Sequence, residues 1–195
     1  MTAGRLAHLG VVALVAGACG TSPRSRFYTL DATATPDGTP AASYAVVVGP
    51  VSVPASVDQP QFVLRVAPNR VAVDEVNRWA APLGDSIARV LAGNLATLLG
   101  TPRVATAPLA NLDAVYRVTI DVQRFESTPG ESALVDAVWV VRRSTGGASR
   151  AGRTVAREAV QSAGFDALAA AHSRALATVS SDIAAAIRVD ASAAR

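Results

Sequence analysis

Residues able to do chemistry are few in this 195-residue chain. It holds one cysteine, Cys19, and two histidines, His8 and His172, and all eighteen basic residues are arginine. The missing lysine removes three chemistries at once, because a phosphate-binding P-loop, a pyridoxal-phosphate Schiff base and a Ser-Lys dyad all require one. A single Cys forms no intramolecular disulfide, and with no Cys or His at ligand spacing elsewhere it builds no metal site. No G-x-S-x-G, H-E-x-x-H, G-x-G-x-x-G or Cys-x-x-Cys pattern occurs, so nucleophile-elbow, zincin, dinucleotide and redox readings lack support. Paired carboxylates of the glycosidase kind leave no local signature and stay open. His172 falls on the apolar stripe of a predicted helix, where a lone imidazole reads as structural. The chain is therefore not expected to be an enzyme, and no metal or cofactor is expected.

The one thiol, by contrast, is placed to react. Arg5 and His8 lead into an apolar run from Leu9 to Val15, which ends in Ala16-Gly17-Ala18 directly before Cys19. That is the layout of a secretory signal peptide over 1–18, with small residues for a peptidase. The junction resembles a lipobox, with Ala16 where Leu is commonest, and it gives Cys19 as the site of diacylglycerol attachment. An exported chain with one unpaired thiol is a liability unless the thiol is blocked, and acylation blocks it. Each buried CH₂ contributes about 0.8 kcal/mol, so two or three acyl chains make a firm anchor. Gly20 rather than Asp after the Cys favours the outer membrane, on its periplasmic face.

Composition agrees with one folded body on a tether. Half the residues are hydrophobic and 17% are charged, too apolar for disorder, while the only sustained apolar run is too short to span a bilayer in the mature chain. Cleavage after residue 18 leaves seventeen Arg against fifteen acids, scattered except for Arg142, Arg143, Arg150 and Arg153 around a turn. That group reads as a solvated hairpin end, and nucleic-acid binding is not expected.

Residues 19–43 read as the lipidated N-terminus and a Pro-, Thr- and Ser-rich linker, interrupted by a docking segment at Phe27-Tyr28-Thr29-Leu30. A domain follows over 44–190, with a frayed tail at 191–195. Strands are predicted over Tyr44–Val53, with a kink at Gly49-Pro50, and over Gln61–Val66 and Arg70–Val73, which form a hairpin across Pro68-Asn69. A helix runs from Pro82 to Leu99, punctuated by Pro82 and Gly100. Three further strands centre on Tyr116–Gln123, Ala133–Val141 and Thr154–Val160. A last helix carries Phe165, Leu168, His172, Leu176, Val179, Ile183 and Ile187 on one stripe. The fold class is α+β, an antiparallel or mixed sheet with two amphipathic helices packed on one face. Apolar residues of both parities around Trp139 suggest that a neighbouring subunit or a lipid covers the other face.

Tyr28, Arg78 and Trp79 are the candidate partner-binding residues. Trp79 either fixes the lead-in to the first helix, with Arg78 paired to Glu75, or anchors a partner, a role in which Trp and Arg are frequent. Trp139 admits the same two readings, core or interface.

These residues resemble the PqiC-type lipoproteins, auxiliary components of paraquat-inducible ABC and MCE transport systems that maintain membrane integrity. The resemblance rests on Cys19, Phe27-Tyr28-Thr29-Leu30, Val48-Gly49-Pro50-Val51, Pro54 and Asp58-Gln59-Pro60-Gln61. It continues through Arg78-Trp79-Ala80-Ala81-Pro82-Leu83 and through Ala137-Val138-Trp139 after Phe125-Glu126, in order across the mature chain. Gln59 stands where the pattern has Arg. The resemblance implies a non-catalytic outer-membrane lipoprotein that docks an MCE-domain protein and its associated membrane transporter components in lipid or hydrophobic-solute traffic, either alone or with further copies of itself. The alternative is a periplasmic lipid-binding carrier with an apolar pocket between sheet and helices.

Overall fold

The computed structural model describes residues 23–107, 113–146 and 149–193; the predicted signal peptide and Cys19 lie outside them. Eight strands form one mixed sheet, and two helices lie on one of its faces, as the α+β reading requires. In chain order these are β1 (Arg26–Tyr28), β2 (Ala45–Ser52), β3 (Gln61–Ala67), β4 (Arg70–Trp79), α1 (Leu83–Leu99), β5 (Val104–Ala105), β6 (Ala114–Thr128), β7 (Ser132–Arg143), β8 (Arg150–Ala159) and α2 (Phe165–Ala193). The second helix thus runs through Ala193, where the sequence suggests a frayed tail from Ala191.

The long strand β6 organises the sheet. One edge pairs antiparallel with β7 from Tyr116↔Arg143 to Thr128↔Ser132, and β7 in turn pairs antiparallel with β8. Its other edge is shared: the first half pairs parallel with β2, and Ser127, near the end, pairs with Leu64 of the β3–β4 hairpin. A register shift between Val122 and Arg124 moves the inward parity from Tyr116, Val118, Ile120 and Val122 to Phe125 and Ser127, so the strand keeps an apolar inner face past the bulge. In β2 the Gly49-Pro50 peptide is cis, where the sequence suggests a kink, and the register shifts between Val48 and Val51. Strand β4 is six residues longer than its predicted core, because Asp74 to Asn77 interrupt the alternation that marks a strand.

The core lies between sheet and helices. Leu83, Ile87, Val90, Leu91, Leu95, Leu98 and Leu99 of α1 are buried, and on the predicted stripe of α2 only Phe165 is part-exposed. Val46, Val48, Ile87, Leu91, Tyr116, Leu176 and Ile183 fill the space where a carrier would need its pocket. Trp139 is 7% exposed and lies in this core, its Nε1–H donating to Thr154 Oγ1 at 3.0 Å. Gly152 makes room for it, since a Cβ there would sit 2.2 Å from the indole.

At its Leu134–Asp136 end the outer face of β7 is covered from within the chain, while Val138 and Val140 beside Trp139 stay part-exposed. Leu134 stands in register between Glu126 and Arg157 of the neighbouring strands. Asp136 is 1% exposed and bound through both oxygens by Arg153 Nε (2.8 Å) and Nη2 (2.7 Å). Those bonds hold its carboxyl below the usual carboxylate range against the cost of burial. At this end of the sheet, long arginine stems take the covering role that the sequence assigns to another subunit or a lipid.

Candidate partner-docking site

The residues picked from sequence meet where β1 joins β4. In the parallel register Phe27 faces Arg78 and Tyr28 faces Trp79. Pairing is clamped by Ala80 N–H donating to Tyr28 O at 2.9 Å and by Tyr28 Oη–H donating to Asn77 Oδ1 at 2.8 Å. Asn77 is itself held by Asp74, whose Oδ1 accepts from Val76 N, Asn77 N and Asn77 Nδ2 at 2.7–2.9 Å. Desolvation opposes ionisation of Asp74, but these donors outweigh it and keep the carboxyl below its ordinary pKa.

Strand alternation then divides the segment by face. Tyr28 and Leu30 point inward, with Leu30 2% exposed, while Phe27 is 64% exposed. Tyr28 joins a ring cluster with Phe62 (5.5 Å), Trp79, Phe125, Phe165 and His172. Trp79 stacks on Phe62 at 4.0 Å and is 6% exposed. It therefore fixes the lead-in to α1, and only its margin is offered to a partner. Arg78 departs from the sequence reading in detail: its Nε and Nη2 donate to the Glu75 backbone carbonyl, at 3.2 and 3.1 Å, and not to the Glu75 carboxylate.

Trp79 lines one wall of an open groove of about 440 Å³ with Asp58, Gln59, Pro60, Ala80, Ala81, Pro82 and Leu83. Two backbone features shape it. Trp79 N–H donates to Pro60 O at 2.7 Å, joining the Asp58–Pro60 loop to the end of β4, and Pro82 caps α1 without a side-chain bond. The lining is mostly apolar with small residues at the floor, a shape that accepts an apolar side chain or short segment and offers no nucleophile.

The segment after β1 is a strap, not a free linker. Asp31 N–H donates to Ser173 Oγ (3.1 Å), Thr33 Oγ1 to Ser173 O (3.2 Å), Ala34 N–H to Asn94 Oδ1 (2.9 Å) and Ala42 N–H to Leu99 O (2.8 Å). Asn94 is fully buried and also donates to Ser180 Oγ, so it ties the strap to both helices. Gly93 leaves the gap the strap needs, because a Cβ there would lie 2.9 Å from Ala32 Cβ. Arg188 closes the far end on Asp37 at 2.7 Å.

A second feature escaped the sequence reading. Ser127 Oγ and His172 Nε2 share a hydrogen bond of 2.8 Å, the spacing of a nucleophile and its base. The pair sits inside the core, with His172 fully buried, stacked 3.8 Å from Phe125 and left without a partner at Nδ1. Desolvation lowers the imidazole pKa to about 3. It has no acid to orient it and no path for substrate, so the structural reading of His172 holds. Among the described residues, no group of three His, Cys, Asp or Glu side chains is placed to hold a metal.

The family model for the ABC-type transport auxiliary lipoprotein component matches residues 28–184, from the docked tyrosine to the last helix. The chain belongs to this family. As an ABC-type transport auxiliary lipoprotein component, it has its place in the cell envelope at a membrane. The crystal structure of an uncharacterized protein matches with a TM-score of 0.70 and 21% identity, over 85% of this chain and 99% of that one. Protein XCC0632 from Xanthomonas campestris matches with a TM-score of 0.68 and 22% identity, over 82% and 92%. These two likenesses establish that the fold is shared. No curated protein matches the chain.

Proposed function

We propose that this auxiliary lipoprotein is of the PqiC type: a non-catalytic adaptor acylated on Cys19, held on the periplasmic face of the outer membrane, where it docks an MCE-domain protein and its ABC transporter. It needs no cofactor beyond its acyl chains. The observation that carries the reading is the docking of β1 on β4. From Arg26 onward the chain is bound to the domain, which leaves six residues, at most roughly 25 Å of extended chain, between Cys19 and the folded body. Such a body works beside the membrane. The Trp79 groove, exposed Phe27 and part-exposed Arg78 are the surfaces available to a partner there, with Tyr28 as their inner support. The filled core favours an adaptor over a lipid carrier.

Crosslinking the native lipoprotein in membranes, followed by identification of the captured proteins, tests the proposal. Recovery of an MCE-domain or ABC component is expected. The variant Ala81→Arg, which fills the groove, is expected to lower that yield without moving the unfolding midpoint. Capture of neither component refutes the reading.

A further inference from the structure

Exposed apolar side chains are concentrated on the β3–β4 hairpin. Of six large hydrophobic residues exposed among the described residues, Val66 (45%), Val71 (61%) and Val73 (43%) belong to it. The hairpin is also the part of the sheet with least support. Beyond the Asn77–Trp79 stretch that β1 covers, β4 is paired only with β3.

The register shows which way this end faces. Because β1 and β4 are parallel, the backbone entering Arg26 comes from the Asn77 side of the pair, the side from which β4 rises out of the Pro68-Asn69 turn. Cys19 lies seven residues before Arg26, and Arg70 lies seven residues before Asn77. At roughly 3.3 Å per residue the two spans are equal, so Cys19 can reach the level of the hairpin turn. The hairpin end carries exposed Arg70 and part-exposed Arg65, which pairs with Glu126 at 3.0 Å, and exposed Arg24 lies on the tether. Against them stand exposed Glu75 and part-exposed Asp74, the latter occupied by Asn77. Apolar tips ringed by guanidinium groups suit the headgroup region of an anionic bilayer, where arginine stems lie along acyl chains and the charge meets phosphate.

We infer that the β3–β4 hairpin dips into the surface of the membrane that holds Cys19 and makes a second, non-covalent contact that fixes how the domain stands on it. This rests on the lipidated-adaptor reading above. The contact leaves the Trp79 groove and the helices facing away from the hairpin tip, toward an incoming partner.

The test uses the mature lipidated protein, purified from membranes and placed in phosphatidylcholine vesicles containing about one third phosphatidylglycerol. Trp79 and Trp139 are buried, so Val71→Trp supplies a surface reporter, with Val73→Trp as a second and Val155→Trp, on the far edge strand, as the control. With brominated acyl chains, the Val71→Trp and Val73→Trp signals are expected to fall about twofold and the Val155→Trp signal to stay unchanged. Reporters unquenched like the control overturn the inference while the anchor stands. So does a blue shift that grows with protein concentration without quenching, which would mean that a second copy covers the hairpin. If mass measurement shows Cys19 unmodified, the anchor reading fails by itself, and the same unlipidated chain is then floated with the vesicles. Co-flotation that V71D/V73D weakens about tenfold sustains the hairpin contact, and absence of flotation overturns it.

Discussion

Acidification should weaken this fold well above the range where its carboxylates titrate, and His172 is the reason. The ring is fully buried against Phe125, with Nε2 bonded to Ser127 Oγ and Nδ1 facing no partner. A buried lone pair costs less than a buried orphan N–H, so Nε2 carries the proton and donates to Ser127, and Nδ1 is bare. Protonating Nδ1 would place a charge and an unsatisfied donor in the core, which is why the folded pKa falls from 6.5 to about 3. The lowered pKa fixes the sign. Between those values the unfolded chain binds a proton that the folded chain refuses, so the contribution is intact above pH 6.5 and is lost as pH falls toward 3. From pH 7.5 to 5 the loss works out at about 2 kcal/mol. Asp74, Glu126 and Asp136 also have lowered pKa values and lose their contribution on acidification, but their window opens only near and below the ordinary carboxylate range. The interval from pH 6.5 to 5 therefore isolates the histidine. Urea unfolding at half-unit steps should show the slope in the native chain, and His172→Gln should flatten it. A native stability that is level across that interval, or a slope that survives in H172Q, refutes the assignment.

Three further outcomes follow from single contacts. Asn94→Ala removes the bond to the strap and the bond to Ser180, and should cost about 2 kcal/mol while raising amide exchange at Asp31–Ala34; unchanged exchange there would show the strap held by other contacts. Gly152→Ala drives a methyl into Trp139 and should destabilise by about 3 kcal/mol with a red-shifted tryptophan emission. Arg153→Ala strands the buried Asp136 carboxylate and should lower the unfolding midpoint, an effect softened because Arg153 itself is 62% exposed; adding Asp136→Asn should restore most of the loss, and a double variant no better than the single one would contradict the pairing.

What the sequence disclosed depended on whether the deciding interaction was local. Period-two and period-3.6 patterns mark β6 and both helices, because Tyr116 to Val122 and Leu83 to Leu99 each bury one face against the same core, while β7 shows as a run apolar on both faces. The strand signal of β4 ends after Val73 because Asp74 binds backbone two and three residues on and breaks the alternation. The strap has the composition of a linker, and its acceptors, Asn94 and Ser173, lie 60 and 142 residues away from the groups they bind. A signal did exist on the receiving side. Polar Asn94, Ser173 and Ser180 sit on the buried faces of two otherwise apolar helices, and Gly93 sits inside one of them, a pattern that asks for a backbone segment to be received there. At the docking site the sequence singled out Tyr28, Arg78 and Trp79, which the structure brings to one junction. Their division between an inner and an outer face depends on a parallel pairing between β1 and β4, and local sequence does not encode it.

With Cys19 acylated, that parallel pairing changes the mechanics of the anchor. Were residues 20–43 a coil, the domain would hang on 24 residues with a root-mean-square reach of about 27 Å; the six residues left free before β1 give about 13 Å. The volume searched falls with the three-halves power of the length, so the domain is about eightfold more concentrated at the bilayer surface than a free linker would allow. The gain comes from β1 pairing with β4, with Ala80 N–H on Tyr28 O and Tyr28 Oη–H on Asn77 Oδ1, not from the lipid. A variant with that pairing broken would remain anchored while its free tether lengthened. The β1–β4 bonds therefore bear on where the domain stands as much as on the stability of the fold.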